Sequence, residues 1–140
     1  MSREILFRGK RIDNGIFVYG SAVLSGSHAH ISVFERIDKG NNALHTNYPV
    51  RPETLGEYTG LKDRNGNRIF EGDIVHCFSE TDSANMVVIF EEGEFRMVLC
   101  EKFKSYVTGG GYYLLRFFVK EIIGNIHDNP ELMEGVMKDD

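Results

Sequence analysis

The chain has 140 residues, 41% of them hydrophobic, enough for one domain with a core or for two small lobes, and too apolar for wholesale disorder. Its 21 acidic against 16 basic side chains give a formal net charge of −5, which opposes nonspecific approach to a nucleic-acid backbone while leaving room for a local basic patch. Two cysteines make no disulfide framework, no stretch approaches the roughly 20 apolar residues of a membrane span, and M-S-R-E-I-L-F-R-G-K lacks a signal-peptide core, so the cytoplasm is the expected location.

Ile5, Leu6 and Phe7 begin a first strand, Asp13-Asn14-Gly15 turns the chain, and Ile16 to Tyr19 returns, making a hairpin that needs a second layer. Gly20 marks a bulge or bend before Ser21 to Leu24. Ser25-Gly26-Ser27 is a further turn, and His28 to Phe34 reads as a strand that places His28 and His30 on one face. No third ligand completes a recognised set with them, so no metal is expected. Glu35 to Thr54 is rich in Asn and Gly and holds Pro49 and Pro52. It reads as an irregular connection with at most a short edge strand around Tyr48 to Val50, and as the place for any lobe boundary.

Leu55 to Val75 carries the strongest local signal. Asn65-Gly66, within D-R-N-G-N, tolerates the left-handed backbone of a tight hairpin, and apolar segments flank it on both sides. Glu71-Gly72-Asp73 then redirects the chain into the strand Ile74 to Phe78. Ser79 to Ser83 reads as solvated, Met86 to Phe90 as a strand, Glu91-Glu92-Gly93 as its turn and Phe95 to Cys100 as the return. The acidic E-E-G-E stretch reads as a solvated tip, lacking the ligand number of a calcium loop and the across-cleft geometry of a glycosidase pair. Cys77 and Cys100, at strand ends, read as two buried thiols.

Glu101 to Thr108 gives no clear pattern. Gly109-Gly110-Gly111 leads into an aromatic strand, Tyr112 to Phe118, and not into the Lys-Ser or Lys-Thr and helix of a phosphate loop. Lys102, Lys104, Tyr106, Tyr112, Tyr113, Arg116 and Lys120 interleave bases with aromatics and form the candidate interaction surface. Such a surface suits single-stranded nucleic acid, but a small core or a subunit contact uses the same residues without needing a ligand and is the favoured reading. Glu121 to Ile126 reads as the last strand. Asp128 or Asn129 then caps a short helix with Pro130 in its first turn and an apolar flank of Leu132, Met133, Val136 and Met137. No G-x-S-x-G or H-E-x-x-H pattern occurs, so no catalytic residue, metal or cofactor is assigned.

Three stretches, R-E-I-L-F-R-G, Y-T-G-L-K-D-R-N-G-N-R-I-F-E-G-D-I-V and I-I-G-N-I-H-D-N-P-E-L, together resemble the YopX family of phage and prophage proteins. After the first strand this chain has R-G-K-R where many relatives carry R-A-W-D. The residues that carry the resemblance are Tyr58, Thr59, Gly60 and Leu61, then Asp63, Asn65 and Gly66, then Glu71, Gly72 and Asp73, and finally Gly124, Asn125, Asn129 and Pro130. The resemblance implies a mainly β fold with a small SH3-like barrel portion. On that reading residues 1–54 form an N-terminal β hairpin region with an irregular connection, 55–130 the SH3-like portion, and 131–140 a short helix and frayed tail, unless all three make one compact unit. It implies a tendency to self-associate and no established activity. The resulting expectation is a noncatalytic accessory protein of the bacterial host's cytoplasm, a homo-oligomer meeting a phage or host protein, with a nucleic-acid-binding module as the alternative and no membrane partner.

Overall fold

The computed structural model describes residues 3–36, 43–106 and 110–134, and almost all of its regular structure lies in two open sheets. In chain order the strands are β1 (Phe7–Lys10), β2 (Phe17–Ser25), β3 (His28–Arg36), β4 (Ala43–Val50), β5 (Gly56–Lys62), β6 (Arg68–Phe70), β7 (Asp73–Phe78), β8 (Ser83–Glu91), β9 (Glu94–Leu99), β10 (Tyr113–Leu114) and β11 (Val119–Asn125). One sheet has the order β4-β3-β2-β1-β5-β6 and the other β10-β9-β8-β7-β11. Among the described residues three 3₁₀ segments, Pro52–Thr54, Cys100–Ser105 and Pro130–Met133, complete the elements. No helix among the described residues is long and apolar enough to cross a membrane.

The chain divides into two compact units, Met1–Tyr58 and Thr59–Asp140, and the division falls inside β5. In the first unit β1 to β4 form an antiparallel meander, and Gly56 and Glu57 of β5 pair with Arg8 and Phe7. Its core is Ala29, Ile31 and Val50 with Phe7, Val18 and Leu55 packed against them. β2 runs unbroken through Gly20. A Cβ there would collide with the Ser32 carbonyl oxygen, so this glycine lets β3 approach instead of bending β2. The connection expected to be irregular contains the eight-residue β4, paired along its length with β3. Pro49 sits near its end, where only its carbonyl is used, accepting from the Ile12 N–H at 3.0 Å. That edge placement is what a missing donor requires.

In the second unit, apolar residues on both faces of β7 and β8 are buried. Val75, Cys77, Met86, Val88 and Met97 pack with Ile69 and Leu115 on one face, and Ile74, Val87, Cys100 and Met133 on the other. Two-sided burial explains why these strands read as continuous apolar runs without alternation.

The expected SH3-like barrel is not formed. The five-stranded sheet stays open, with β10 at one edge and β11 at the other, and β6 belongs to the other sheet. The physical reason is the treatment of the β11 edge. Where a barrel would add a strand, the β5–β6 turn offers a single backbone donor and one carboxylate: the Arg64 N–H donates to the Lys120 carbonyl at 3.0 Å, and the Ile122 N–H donates to Asp63 Oδ2 at 3.0 Å. The edge is thus covered without closure.

Two further expectations change. Tyr112 to Phe118 is not one aromatic strand: β10 holds only Tyr113 and Leu114, after which the chain turns and Phe118 adopts φ 70°. The short C-terminal helix is a single 3₁₀ turn, Pro130–Met133, and Asn129 makes no side-chain cap to it. Val136 and Met137 lie outside the described residues, as does Gly109.

Candidate functional site

Several polar side chains of the family-like motifs, those of Thr59, Asp63, Asp73, Asn125 and Asn129, bond backbone. Asp63 Oδ1 accepts the N–H groups of Asn65 and Asn67 at 2.9 Å each, while its Oδ2 takes Ile122. Burial alone pushes this carboxyl up, and the three backbone N–H groups together hold it below its ordinary range. Gly66 has φ 86°, the left-handed backbone foreseen for the turn. The Thr59 hydroxyl donates to the Ile69 carbonyl at 2.8 Å, Gly60 has φ 90°, and Leu61 is exposed. Tyr58 is buried, and its N–H bonds the Leu6 carbonyl within the first unit. After Glu71, Gly72 donates to Val88 and accepts from Ile126, and Asp73 Oδ2 accepts the Phe70 N–H at 2.7 Å.

The final motif is a second clasp. Asn125 Oδ1 accepts the N–H groups of His127 and Asp128, both at 2.9 Å, and Asn129 Oδ1 accepts the Asn125 N–H at 3.1 Å. Gly124 leaves room for that amide, since a Cβ would meet Asn129 Oδ1 and lie 2.8 Å from its Cγ. Pro130 follows as the first residue of the 3₁₀ turn.

The candidate interaction surface divides into three parts. Tyr106 and Tyr112 serve an arginine that the sequence reading passed over. Arg96, only 6% exposed in its side chain, binds Glu91 Oε1 at 2.7 Å and Glu94 Oε2 at 2.7 Å, and its guanidinium lies 3.9 Å from the Tyr112 ring centre. The Tyr106 hydroxyl donates to Glu91 Oε1 at 2.5 Å. Burial opposes the Arg96 charge, and the bonds from Glu94 and Glu91 more than restore it. Within the E-E-G-E stretch Glu91 and Glu94 are therefore partly buried partners of Arg96, while Glu92 and Gly93 keep the tip exposed as expected. A legible sign existed: Glu91 stands directly opposite Glu94 across the hairpin, and facing like charges require a nearby cation.

Lys102 and Lys104 are exposed on the Cys100–Ser105 segment, with Lys104 Nζ 3.8 Å from Glu134. Lys120 points inward, 7% exposed, and its ammonium donates to the Phe118 carbonyl at 2.8 Å. Burial pushes its pKa down. Around it Tyr113, Phe117, Phe118 and Val119 are 39%, 46%, 38% and 56% exposed, and Phe118 meets Tyr113 and Phe117 edge-on at 5.6 and 6.3 Å. Arg116 lies 5.5 Å over Phe117.

Phe118 and Tyr113 also wall an open groove of about 540 Å³ within the second unit, floored by Cys77, Met86 and Leu99. Cys77 and Cys100 are free buried thiols, both pushed up to about 11 by burial. In the first unit, His28 and His30 lie on the β3 face foreseen, and no metal-binding group of three His, Cys, Asp or Glu occurs among the described residues. On the same face Ser32 Oγ meets His45 Nε2 at 2.7 Å and donates to Asn47 Oδ1.

The YopX protein family model matches residues 6–134. The chain belongs to the YopX family. The crystal structure of protein EF1440 from Enterococcus faecalis is similar to this YopX-family chain at 23% identity and a TM-score of 0.56, covering 95% of this chain and all of that one, which supports the fold alone. No curated protein matches. The match takes in the second and third motif stretches whole and the first from Leu6 onward.

Proposed function

We propose that this YopX-family protein is a noncatalytic phage accessory protein, acting in the host cytoplasm through association with a phage or host protein or with its own copies. The observation that carries the reading is the aromatic corner formed by Tyr113, Phe117, Phe118 and Val119. These large side chains stay exposed beside a sheet whose two faces are already filled. Contiguous exposed apolar groups of this kind favour a polypeptide partner. Nucleic acid is less well served, because Lys120 turns inward and Arg96 is neutralised by glutamates.

Light scattering over a concentration series, with affinity capture from host and phage lysates, tests it. The wild type should form a larger species or retain a specific protein, and Phe117→Ser with Val119→Ser should lose that association while keeping the fold. A monomer at every concentration that retains the same proteins as the double variant overturns the reading. Tight, steeply salt-dependent anisotropy with single-stranded DNA or RNA would replace it with the nucleic-acid alternative.

A further inference from the structure

We infer that the groove of the second unit receives a lysine or arginine side chain presented by a partner polypeptide. This deepens the interaction reading above and rests on it. The walls are aromatic, Phe78, Tyr113 and Phe118, and two carboxylates, Asp82 and Glu101, line the same space; among the described residues no Lys, Arg or His lines it. A volume of about 540 Å³ lies within the usual range for binding sites and holds a long side chain with flanking backbone. The floor of Cys77, Met86 and Leu99 suits an aliphatic stem, with the carboxylates at hand for its charged end.

The aromatic rings offer faces suited to a cation. In this unit Tyr112 is covered by Arg96 at 3.9 Å, Phe78 by Arg64 at 5.2 Å and Phe117 by Arg116 at 5.5 Å. Among the described residues the two remaining wall rings, Tyr113 and Phe118, have no cation over them. Both line the groove, where an incoming ammonium or guanidinium would meet them.

Phe118 is also held in place at a cost. Its φ of 70° is a conformation that bulky residues rarely adopt, and such strain persists where the surroundings impose it. Here the Phe117 N–H closes the turn on the Leu114 carbonyl at 3.0 Å, and the buried Lys120 ammonium grips the Phe118 carbonyl. Lys120 is thus a positioning residue for the groove wall. The neighbouring cations do not compete for the space, since Arg64 stacks on Phe78 and Lys120 is bonded to backbone. A polypeptide occupant is favoured over a small organic cation because Phe118 joins the groove to the exposed Phe117 and Val119, which only an extended partner would cover.

The test is an NMR amide titration of the full chain with N-acetyl-lysine-methylamide and N-acetyl-arginine-methylamide, against the norleucine and citrulline analogues, at low salt. The cationic probes should shift amides of Ala84, Met86, Glu101 and Tyr113 with millimolar affinity. The neutral analogues should bind at least fivefold more weakly. Asp82→Asn with Glu101→Gln should abolish the difference, and Asp82→Asn keeps the side-chain oxygen that accepts the Ser83 N–H at 2.9 Å. The dispersion of the variant spectrum checks its fold. Equal shifts with neutral probes, shifts spread over acidic surface elsewhere, or an unaltered response in the double variant each overturn the inference. If these fail while Phe117→Ser with Val119→Ser still abolishes association, the groove assignment falls and the interaction reading stands; if association is absent altogether, the interaction reading itself falls.

Discussion

Asp63 shows how one side chain can serve both a turn and a strand edge. Replacing it with alanine strands three N–H donors, and at roughly 1 kcal/mol net for each the expected loss is about 3 kcal/mol in urea unfolding. Because its folded pKa lies below the ordinary 3.8, its contribution is complete above that pH. It is lost as pH falls below 3.8 through the folded value, so wild type and Asp63→Asn should converge in stability on acidification. Cys77 and Cys100 provide a second residue-level check. With both thiols buried and pushed up to about 11, a disulfide-exchange reagent at pH 7 should label neither in the native state within minutes, and both once urea unfolds the chain.

At the scale of elements, β11 depends on groups that other segments bring to it. Gly124→Ala would drive a methyl group into the Asn129 amide that fixes the strand's end. The expected cost is about 2 kcal/mol, measured by thermal unfolding, with partial recovery in Gly124→Ala combined with Asn129→Gly. The turn before β11 makes a different prediction. Lys120→Met removes the donor to the Phe118 carbonyl, a charge-assisted bond worth about 1.5 kcal/mol, so amide exchange across residues 116–118 should quicken about tenfold. Protection in β7, β8 and β9 should be unchanged, because their burial involves other side chains.

For the molecule as a whole, charge and exposed apolar surface pull in opposite directions. A net charge of −5 keeps copies apart, and in the association proposed above the aromatic corner would draw them together. Self-association should therefore strengthen as salt rises from 0.05 to 0.5 M, an expectation of screening for which sedimentation velocity is the measurement. Capture of a cationic side chain by Asp82 and Glu101 should weaken over that same range. Opposite salt slopes would separate the two kinds of contact, and parallel slopes would show one surface serving both.

The sequence by itself determined whatever local backbone chemistry requires. Asn65-Gly66 turns, Glu71-Gly72 turns, the apolar runs of β7 to β9 are strands, and the motif stretches are enough to place the chain in the YopX family, because left-handed turn positions and buried strands leave direct marks in residue type. Tertiary structure decided what distance conceals. Nothing local to Asp63 shows that it bonds Ile122, and nothing local to Lys120 shows that it turns inward to hold Phe118. β4 was obscured by Asn47 and Pro49, and an edge strand tolerates a proline on the side that needs no donor. Whether the second sheet closed into a barrel was likewise beyond local pattern, since it turned on which groups met the β11 edge. A carboxylate and one backbone N–H reached it from the β5–β6 turn, and the sheet stays open.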